Sequence, residues 1–330
     1  MTVLIKTEQL TREFVTNRSL FSPRRTIRAV DNVSLHIHEG ECLGLIGESG
    51  SGKSTFARLL LGLLQPTGGE VYFRGQSLSV LTPDEIRNLR KSMQFVPQDP
   101  FGSLNPRMRI GELISEPLRL LEGVLREEAK ARAEEMLNVV GLNRRLFHRL
   151  PHQLSGGQRQ RVSIAAALIT HPTLVVADEP TSSLDVSIQA QILNLLMDLQ
   201  DSFQLTYLFI SHDLNVIGTI ADRVAVMLKG RLIEMGSTRR ILEEPIHPYT
   251  RRLRAASPKI GDILSGQRTT RLDLQQPHPR FVALHGSCPV EDACLHEIHD
   301  DHYVACYDEE DLIAWEATAH APSALEPIIH

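Results

Sequence analysis

No apolar run in the 330 residues approaches the ~20 needed for a membrane-crossing helix. The opening MTVLIKTEQL lacks the long apolar core of a secretory signal, so the chain is expected to work in the cytoplasm. Cysteine is scarce, and its four residues are placed too unevenly to read first as a disulfide framework. Internal repeats and low-complexity tracts are absent. So is the concentrated basic footprint of a dedicated nucleic-acid binder: 35 Lys and Arg face 40 Asp and Glu, a net charge of −5. That deficit is localised. Residues 281–330 carry 11 Asp or Glu and no Lys or Arg, leaving residues 1–280 with 35 basic against 29 acidic side chains. The tail is therefore a separate electrostatic region, and the mildly basic body is compatible with phosphate-bearing ligands. Apolar side chains make up 42%, enough for a sizeable core and two domains, which excludes disordered and fibrous classes.

Residues 1–46 read as short β-type runs such as Val3 to Ile5 and Val33 to Ile37, broken by a basic connector, SLFSPRRTIR. CLGLI (42–46) has the continuous apolar character of a strand buried on both faces. It feeds a glycine loop and then STFARLLLGLLQPTGG, whose Phe56, Leu59, Leu60, Leu63 and Leu64 predict a helix up to Pro66. From about Thr82 to His152 the pattern is mainly helical, with one apolar run at Met93 to Pro97 and a charged helix, REEAKARAEEMLNVVG, ending at Gly141. Strand signals return at LVVAD (174–178), TYLFIS (206–211) and VAVML (224–228), separated by helical segments. This alternation predicts an α/β fold with a mostly parallel sheet, an inserted helical subdomain, and a polar linker from Pro258 to Pro279.

Gly47 to Ser54, GESGSGKS, fits the phosphate-loop template at every fixed position. Its glycines let successive N–H groups point at phosphate oxygens, and the following helix adds the positive end of its dipole. The nucleotide-binding set is Gly47, Ser49, Gly50, Ser51, Gly52, Lys53, Ser54 and Thr55, with Lys53 reaching the β- and γ-phosphates and Ser54 holding Mg²⁺. TLVVADE has the form of a strand delivering Asp178 and Glu179 to its C-terminal end. Asp178 can hold the metal, and Glu179 can polarise a water for attack on the γ-phosphate. LSGGQ, Leu154 to Gln158, opens a helix and forms a second anion site of backbone donors. One nucleotide does not need two such sites.

With these motifs in place the sequence resembles the ATP-binding-cassette ATPases, in which the signature turn of one subunit closes over the nucleotide held by the other. The resemblance implies that Ser155, Gly156, Gly157 and Gln158 act on the partner's nucleotide. It makes Gln98 in FVPQDP the Q-loop glutamine, joining the metal site to the helical subdomain, and Asp185 in SLD the D-loop acid. His212 in FISHD becomes the switch histidine, and Phe14 the aromatic that stacks on adenine. VDNVSLHIHEGECLGLIGESGSGKST, QDPFGSLNPRMRIGELISEPL, DVSIQAQILNLLMDLQ and HPYTRRL look like the oligopeptide, dipeptide and nickel branch of bacterial importers, with His247 to Thr250 as the branch marker. Two departures stand out. Ala166 occupies a position where the family usually has Arg, implying altered interface chemistry. In the tail, Cys288, Cys294 and Cys306 align with three of the four cysteines that hold an iron–sulfur cluster in many relatives, and Val282 stands in place of the first. A three-cysteine cluster, with an open position or with His285 as a substitute ligand, is one reading, and degenerate metal-free packing is the other. His296, His299 and His302, set among acids, read as solvated, with metal ligation the alternative.

The resemblance implies a P-loop ATPase core with an N-terminal antiparallel β subdomain (residues 1–257, helical subdomain about 98–155) and a C-terminal cysteine-containing extension (258–330). Catalysis falls to Glu179, His212, Gln98 and Lys53, with Mg²⁺ on Ser54, Gln98 and Asp178. The expected cofactors are ATP and Mg²⁺. The expected partners are two permease subunits, a related ATPase and an extracytoplasmic solute-binding protein, with no direct nucleic-acid contact, and the expected place is the cytoplasmic face of a bacterial inner membrane. A soluble ATPase acting on nucleic acid or ribosomes is the alternative class, although it needs long insertions or basic arms that are not visible. A regulatory, low-activity subunit is a third.

Overall fold

The structure, a computed structural model, describes residues 2–16, 25–257, 278–285, 295–299, 301–307 and 311. It divides into two compact units, Met1–Arg231 and Leu232–His330.

The first unit opens with an antiparallel sheet in the order β2-β1-β4-β5, made of β1 (Val3–Thr16), β2 (Arg25–His38), β4 (Gly68–Phe73) and β5 (Gln76–Ser77). β1 and β2 are each 14 residues long, far beyond the short runs the sequence suggests. The end of the expected connector is strand: Thr26, Ile27 and Arg28 pair with Val15, Phe14 and Glu13. Register shifts along this ladder interrupt the two-residue alternation that would have revealed its length.

A parallel sheet carries the rest of the unit. β6 (Met93–Val96), β7 (Leu174–Asp178), β8 (Thr206–Ser211), β3 (Cys42–Ile46) and β9 (Arg223–Leu228) lie side by side in that order. Every residue of β3, β7 and β8 is buried, which is why each reads as a mostly apolar run. The register sets Ile46 beside Ser211, Asp178 beside Ile210, and Val96 beside Ala177. Consequently the strands release Gly47, Gln98, Glu179 and His212 at one edge of the sheet. That is where open α/β sheets bind ligands.

Helix α1 (Lys53–Leu60) starts directly from the glycine loop and stops earlier than its leucine spacing suggests. Gly62 takes a left-handed φ of 62°, and the N–H groups of Leu63 and Leu64 fold back onto the Arg58 carbonyl. That closure ends the helix, leaving Leu63 exposed. Between β6 and β7 the chain is mainly helical. It follows α2 (Pro83–Ser92), which precedes β6, with α3 (Pro100–Ser103), α4 (Ile110–Pro117), a π-helical turn at Leu118–Glu122, α5 (Arg126–Val139) and α6 (Gly156–Leu168). α6 buries Val162, Ile164, Ala165 and Leu168, and Ala166 is half-buried. Helices α7 (Val186–Phe203) and α8 (Leu214–Ile220) complete the unit.

The second unit contains most of β10 (Arg231–Ser237), then α9 (Thr238–Glu243), α10 (Pro248–Ala256), α11 (Pro279–His285), β11 (Leu295–His299) and β12 (His302–Ala305). β12 pairs antiparallel with both β10 and β11. Ile246, Phe281 and Val304 form a small core against which Leu284 and Ile298 pack. Among the described residues, no helix is long and apolar enough to cross a membrane.

Candidate active site

The phosphate loop is shaped by glycines that no other residue could replace. Gly52 has φ 106°, and a Cβ there would lie 2.1 Å from the Ala29 carbonyl oxygen. Gly47 faces the Met227 carbonyl oxygen, 2.2 Å from where its Cβ would stand. β2 and the end of β9 therefore press the loop from two sides. Lys53, the first residue of α1, is buried, and its Nζ donates to the carbonyls of Gly47 (2.7 Å) and Glu48 (2.8 Å) and approaches Ser51 Oγ at 3.3 Å. The ammonium thus sits inside the curl of its own loop, poised over the space where phosphate oxygens would meet it. Burial pulls its pKa below the ordinary lysine value, opposed by the charges of Glu179, Asp178 and Glu48.

β7 delivers the two carboxylates into different surroundings. Asp178 is buried and hydrogen-bonded to Ser54, and its pKa is pushed up, first by burial and further by the neighbouring Glu179. Glu179 has φ 47°, a left-handed conformation that is uncommon for Glu, and its N–H bonds the Ile210 carbonyl at 2.9 Å. The kink turns its carboxylate out between two partners. Gln98 Nε2 donates to Oε2 at 2.9 Å, and His212 Nδ1 lies 3.1 Å from Oε1. Glu179 thereby links the loop after β6 to the end of β8.

Ser54, Asp178 and Gln98 offer a hydroxyl, a carboxylate and an amide oxygen, the hard donors that suit Mg²⁺. The raised pKa of Asp178 marks an anion short of compensation, which a divalent cation would supply. The donor set fits the metal.

The remaining predicted residues occupy other places. Ser155 caps α6: its Oγ accepts from the Gln158 N–H at 3.3 Å, and Gln158 Oε1 accepts from the Ser155 N–H at 3.0 Å. The N–H groups of Gly156 and Gly157 are the first-turn donors that this capping box does not use. Gly157 also lies close to α7, where a Cβ would come within 2.6 Å of Ile188 Cγ2. Asp185 is the exposed N-cap residue of α7, with Val186 beside it 74% exposed. Ser49 and Gly50 are exposed at the tip of the phosphate loop, and Thr55 is half-buried in α1. Phe14 is half-buried in β1, with the Arg12 guanidinium 4.8 Å from its ring centre. The sequence reading missed this pairing, although an Arg and a Phe two apart on one strand share a face.

In the second unit, Cys288 and Cys294 lie outside the described residues, as does the side chain of His285. Cys306 is buried, and Val282, 53% exposed, brings no donor atom. Among the described residues no cluster of His, Cys, Asp or Glu could hold a metal ion. Of the three histidines expected to be solvated, His299 is exposed and His296 is half-buried. His302 departs from that expectation entirely. It is buried, with Nε2 2.8 Å from Glu234 Oε1. The branch marker His247 is also buried, contacting the Tyr307 carbonyl through Nε2 at 2.8 Å.

Comparison with known proteins matches residues 30–182 to the family described as ABC transporter, and residues 233–299 to the family described as oligopeptide/dipeptide transporter, C-terminal region. The chain is 41% identical over 322 residues to the di/tripeptide transport ATP-binding protein DppF of Pseudomonas aeruginosa (strain UCBPP-PA14), covering 95% of this chain and all of that protein. It is 46% identical over 276 residues to the oligopeptide transport ATP-binding protein OppF of Escherichia coli (strain K12), covering 82% and 83% of the two chains. Among solved structures, the ATP-binding cassette MJ0796, a dimer in a post-hydrolysis state bound to ADP and Pi, matches with a TM-score of 0.64 and 33% identity, over 72% of this chain and 99% of that one.

Proposed function

The chain belongs to the ABC transporter family of ATP-binding proteins, and from that premise we propose that it is the ATP-hydrolysing subunit that powers import of di- or oligopeptides through a membrane permease. The observation that carries the catalytic part is the convergence of Lys53, Glu179, Gln98 and His212 at one sheet edge, with Glu179 held between Gln98 at 2.9 Å and His212 at 3.1 Å. The match of residues 233–299 to a peptide-transporter region supports the peptide cargo over an ATPase acting on nucleic acid or ribosomes.

In this mechanism the phosphate loop and Lys53 hold the β- and γ-phosphates, and Phe14 stacks on the adenine. Mg²⁺, held by Ser54, Asp178 and Gln98, would neutralise phosphate charge. Glu179 exchanges its contact with Gln98 for one with water and takes that water's proton as it attacks the γ-phosphorus in line, while the bond from that phosphorus to the β–γ bridging oxygen breaks and ADP leaves. His212 stabilises the charge that develops beside it. The work is positioning and charge stabilisation, achieved by groups already fixed on strand ends.

The Ser155 turn points its spare N–H groups at the nucleotide of a second, related ATPase, with Asp185 beside that junction. The dimeric state of the solved relative supports such pairing. Residues 1–257 form the ATPase domain in this reading. Within it the helical subdomain, about 98–155, grips the permease at the cytoplasmic face of a bacterial membrane, and an extracytoplasmic binding protein delivers the solute. An iron–sulfur cluster forms no part of this proposal.

The test is affinity purification from membranes, with the co-eluting chains identified and ATP turnover measured with and without peptide-loaded binding protein. Co-elution of permease chains and turnover stimulated by loaded binding protein are expected. Stimulation by DNA or RNA, with no permease recovered, would overturn the import reading.

A further inference from the structure

Asp31 and Arg231 are 200 residues apart in the chain and form a buried ion pair. Both Nε and one terminal nitrogen of Arg231 lie 2.7 Å from Asp31 Oδ2, with side-chain exposures of 5% and 9%. What they join is informative. The Asp31 N–H bonds the Gly230 carbonyl at 2.9 Å, and the Gly230 N–H bonds the carbonyl of Ser51, in the phosphate loop, at 2.9 Å. Two residues before Asp31, the Ala29 carbonyl fills the space beside Gly52. In the other direction Asp31 Oδ1 lies 3.7 Å from Arg28, which binds Glu13 at 2.6 Å, and Glu13 adjoins Phe14 in β1.

An unbroken run of contacts therefore leads from the strand pair bearing Phe14 to the loop that would hold phosphate. Its outer link, Arg28 to Glu13, is more than a third exposed on either side and weak by nature. Its inner link is desolvated. Buried ion pairs often add little net stability over apolar residues of similar volume, which turns attention to the geometry that this one imposes. Two N–H groups of the guanidinium meet one Asp31 oxygen and tie β2 to the strand that follows the turn at Gly230.

We propose that Asp31 and Arg231 are positioning residues that hold the Phe14 strand pair in register with the phosphate loop, and so set affinity for a nucleoside triphosphate over bare triphosphate. This rests on the adenine-stacking reading of Phe14. The phosphates would be held by the loop alone, whereas the base would feel any rotation of β1 and β2.

The experiment is calorimetric titration of the full chain with ATP and, separately, with inorganic tripolyphosphate. The chains compared are wild type, Asp31→Asn, Arg231→Lys and the paired Asp31→Leu/Arg231→Met, which leaves no unpaired charge where a single change prevents folding. Expected is an ATP dissociation constant raised about tenfold in Asp31→Asn and in the paired variant, less in Arg231→Lys, with tripolyphosphate affinity within about twofold of wild type. KM for ATP should rise by the same factor while kcat holds. Equal weakening of both ligands, or no weakening of either, overturns the proposal. Phe14→Ala separates the two readings. If it leaves ATP affinity intact while the pair variants lose it selectively, the base rests elsewhere on the strand pair and only the Phe14 assignment falls. If Phe14→Ala loses ATP selectively and the pair variants do not, the positioning role falls alone.

Discussion

His302 Nε2 donates to Glu234 Oε1 at 2.8 Å, with both side chains shut off from solvent. The same carboxylate accepts the backbone N–H groups of Ile246 (2.8 Å) and His247 (3.1 Å), so a single anion on β10 anchors the start of α10 and the β11–β12 hairpin. His247 completes the socket. Its Nδ1 accepts the Tyr249 N–H, which leaves Nε2 as the donor to the Tyr307 carbonyl, and its ring meets Phe281 edge-on. The His-Pro-Tyr-Thr marker is thus a docking element for the C-terminal segment. Replacing His302 by Ala leaves Glu234 short of a partner, at a cost of about 1–3 kcal/mol. Hydrogen exchange in residues 295–307 is expected to accelerate, with ATP turnover retained because the proposed nucleotide residues all lie within Met1–Arg231. Unchanged protection would contradict the anchoring role.

Lys53→Ala removes a charge-assisted donor to phosphate, worth about 1.5–3 kcal/mol. The expected result is a 10- to 100-fold rise in the ATP dissociation constant by calorimetry. Unaltered affinity would count against the cradle.

Gly52→Ala sets a methyl group against the Ala29 carbonyl at a left-handed φ of 106°. Strain of this kind costs on the order of 1–3 kcal/mol before any clash is relieved. Thermal melting should show a lower midpoint, and nucleotide should no longer restore it. A midpoint equal to wild type would mean that β2 does not confine the loop.

Asp178 gives a pH dependence of definite sign. Its pKa is raised from 3.8, mainly by burial. The folded state therefore holds a proton that the unfolded state has released, and stability from this group is present below 3.8 and lost as pH climbs through the raised value. Asp178→Asn removes that loss. The nucleotide-free variant should melt higher than wild type at neutral pH, with a flatter acidic limb, and should gain no stability from Mg²⁺ and ATP together. Equal melting temperatures across the acidic range would show that burial does not penalise the carboxylate.

Much of this arrangement is legible in the residues themselves, and where legibility stops has physical causes. LVVAD and TYLFIS match β7 and β8 residue for residue because strands buried on both faces are mostly apolar, with polar residues kept to their ends. The phosphate loop is equally plain, since its glycines answer to backbone geometry. α1 is overread because the leucine period continues past Gly62, and only the left-handed closure there shows that the helix has ended. β1 and β2 are underread because their half-exposed faces mix charged and apolar residues across register shifts. His302, one residue after Asp301 and near other acids, looks solvated, and its burial depends on Glu234, 68 residues away. The left-handed backbone of Glu179 leaves no trace in composition, yet it is what brings the carboxylate between Gln98 and His212.

The central claim is that Glu179 takes the proton from the attacking water, and ATP turnover by Glu179→Gln at saturating nucleotide tests it most directly. Glutamine keeps the shape and one acceptor oxygen but cannot accept the proton. Turnover is expected to fall by roughly 10²- to 10⁴-fold, with the ATP dissociation constant within a factor of about two of wild type. Turnover near the wild-type rate would remove Glu179 as the base and, with it, the account of hydrolysis given for this site.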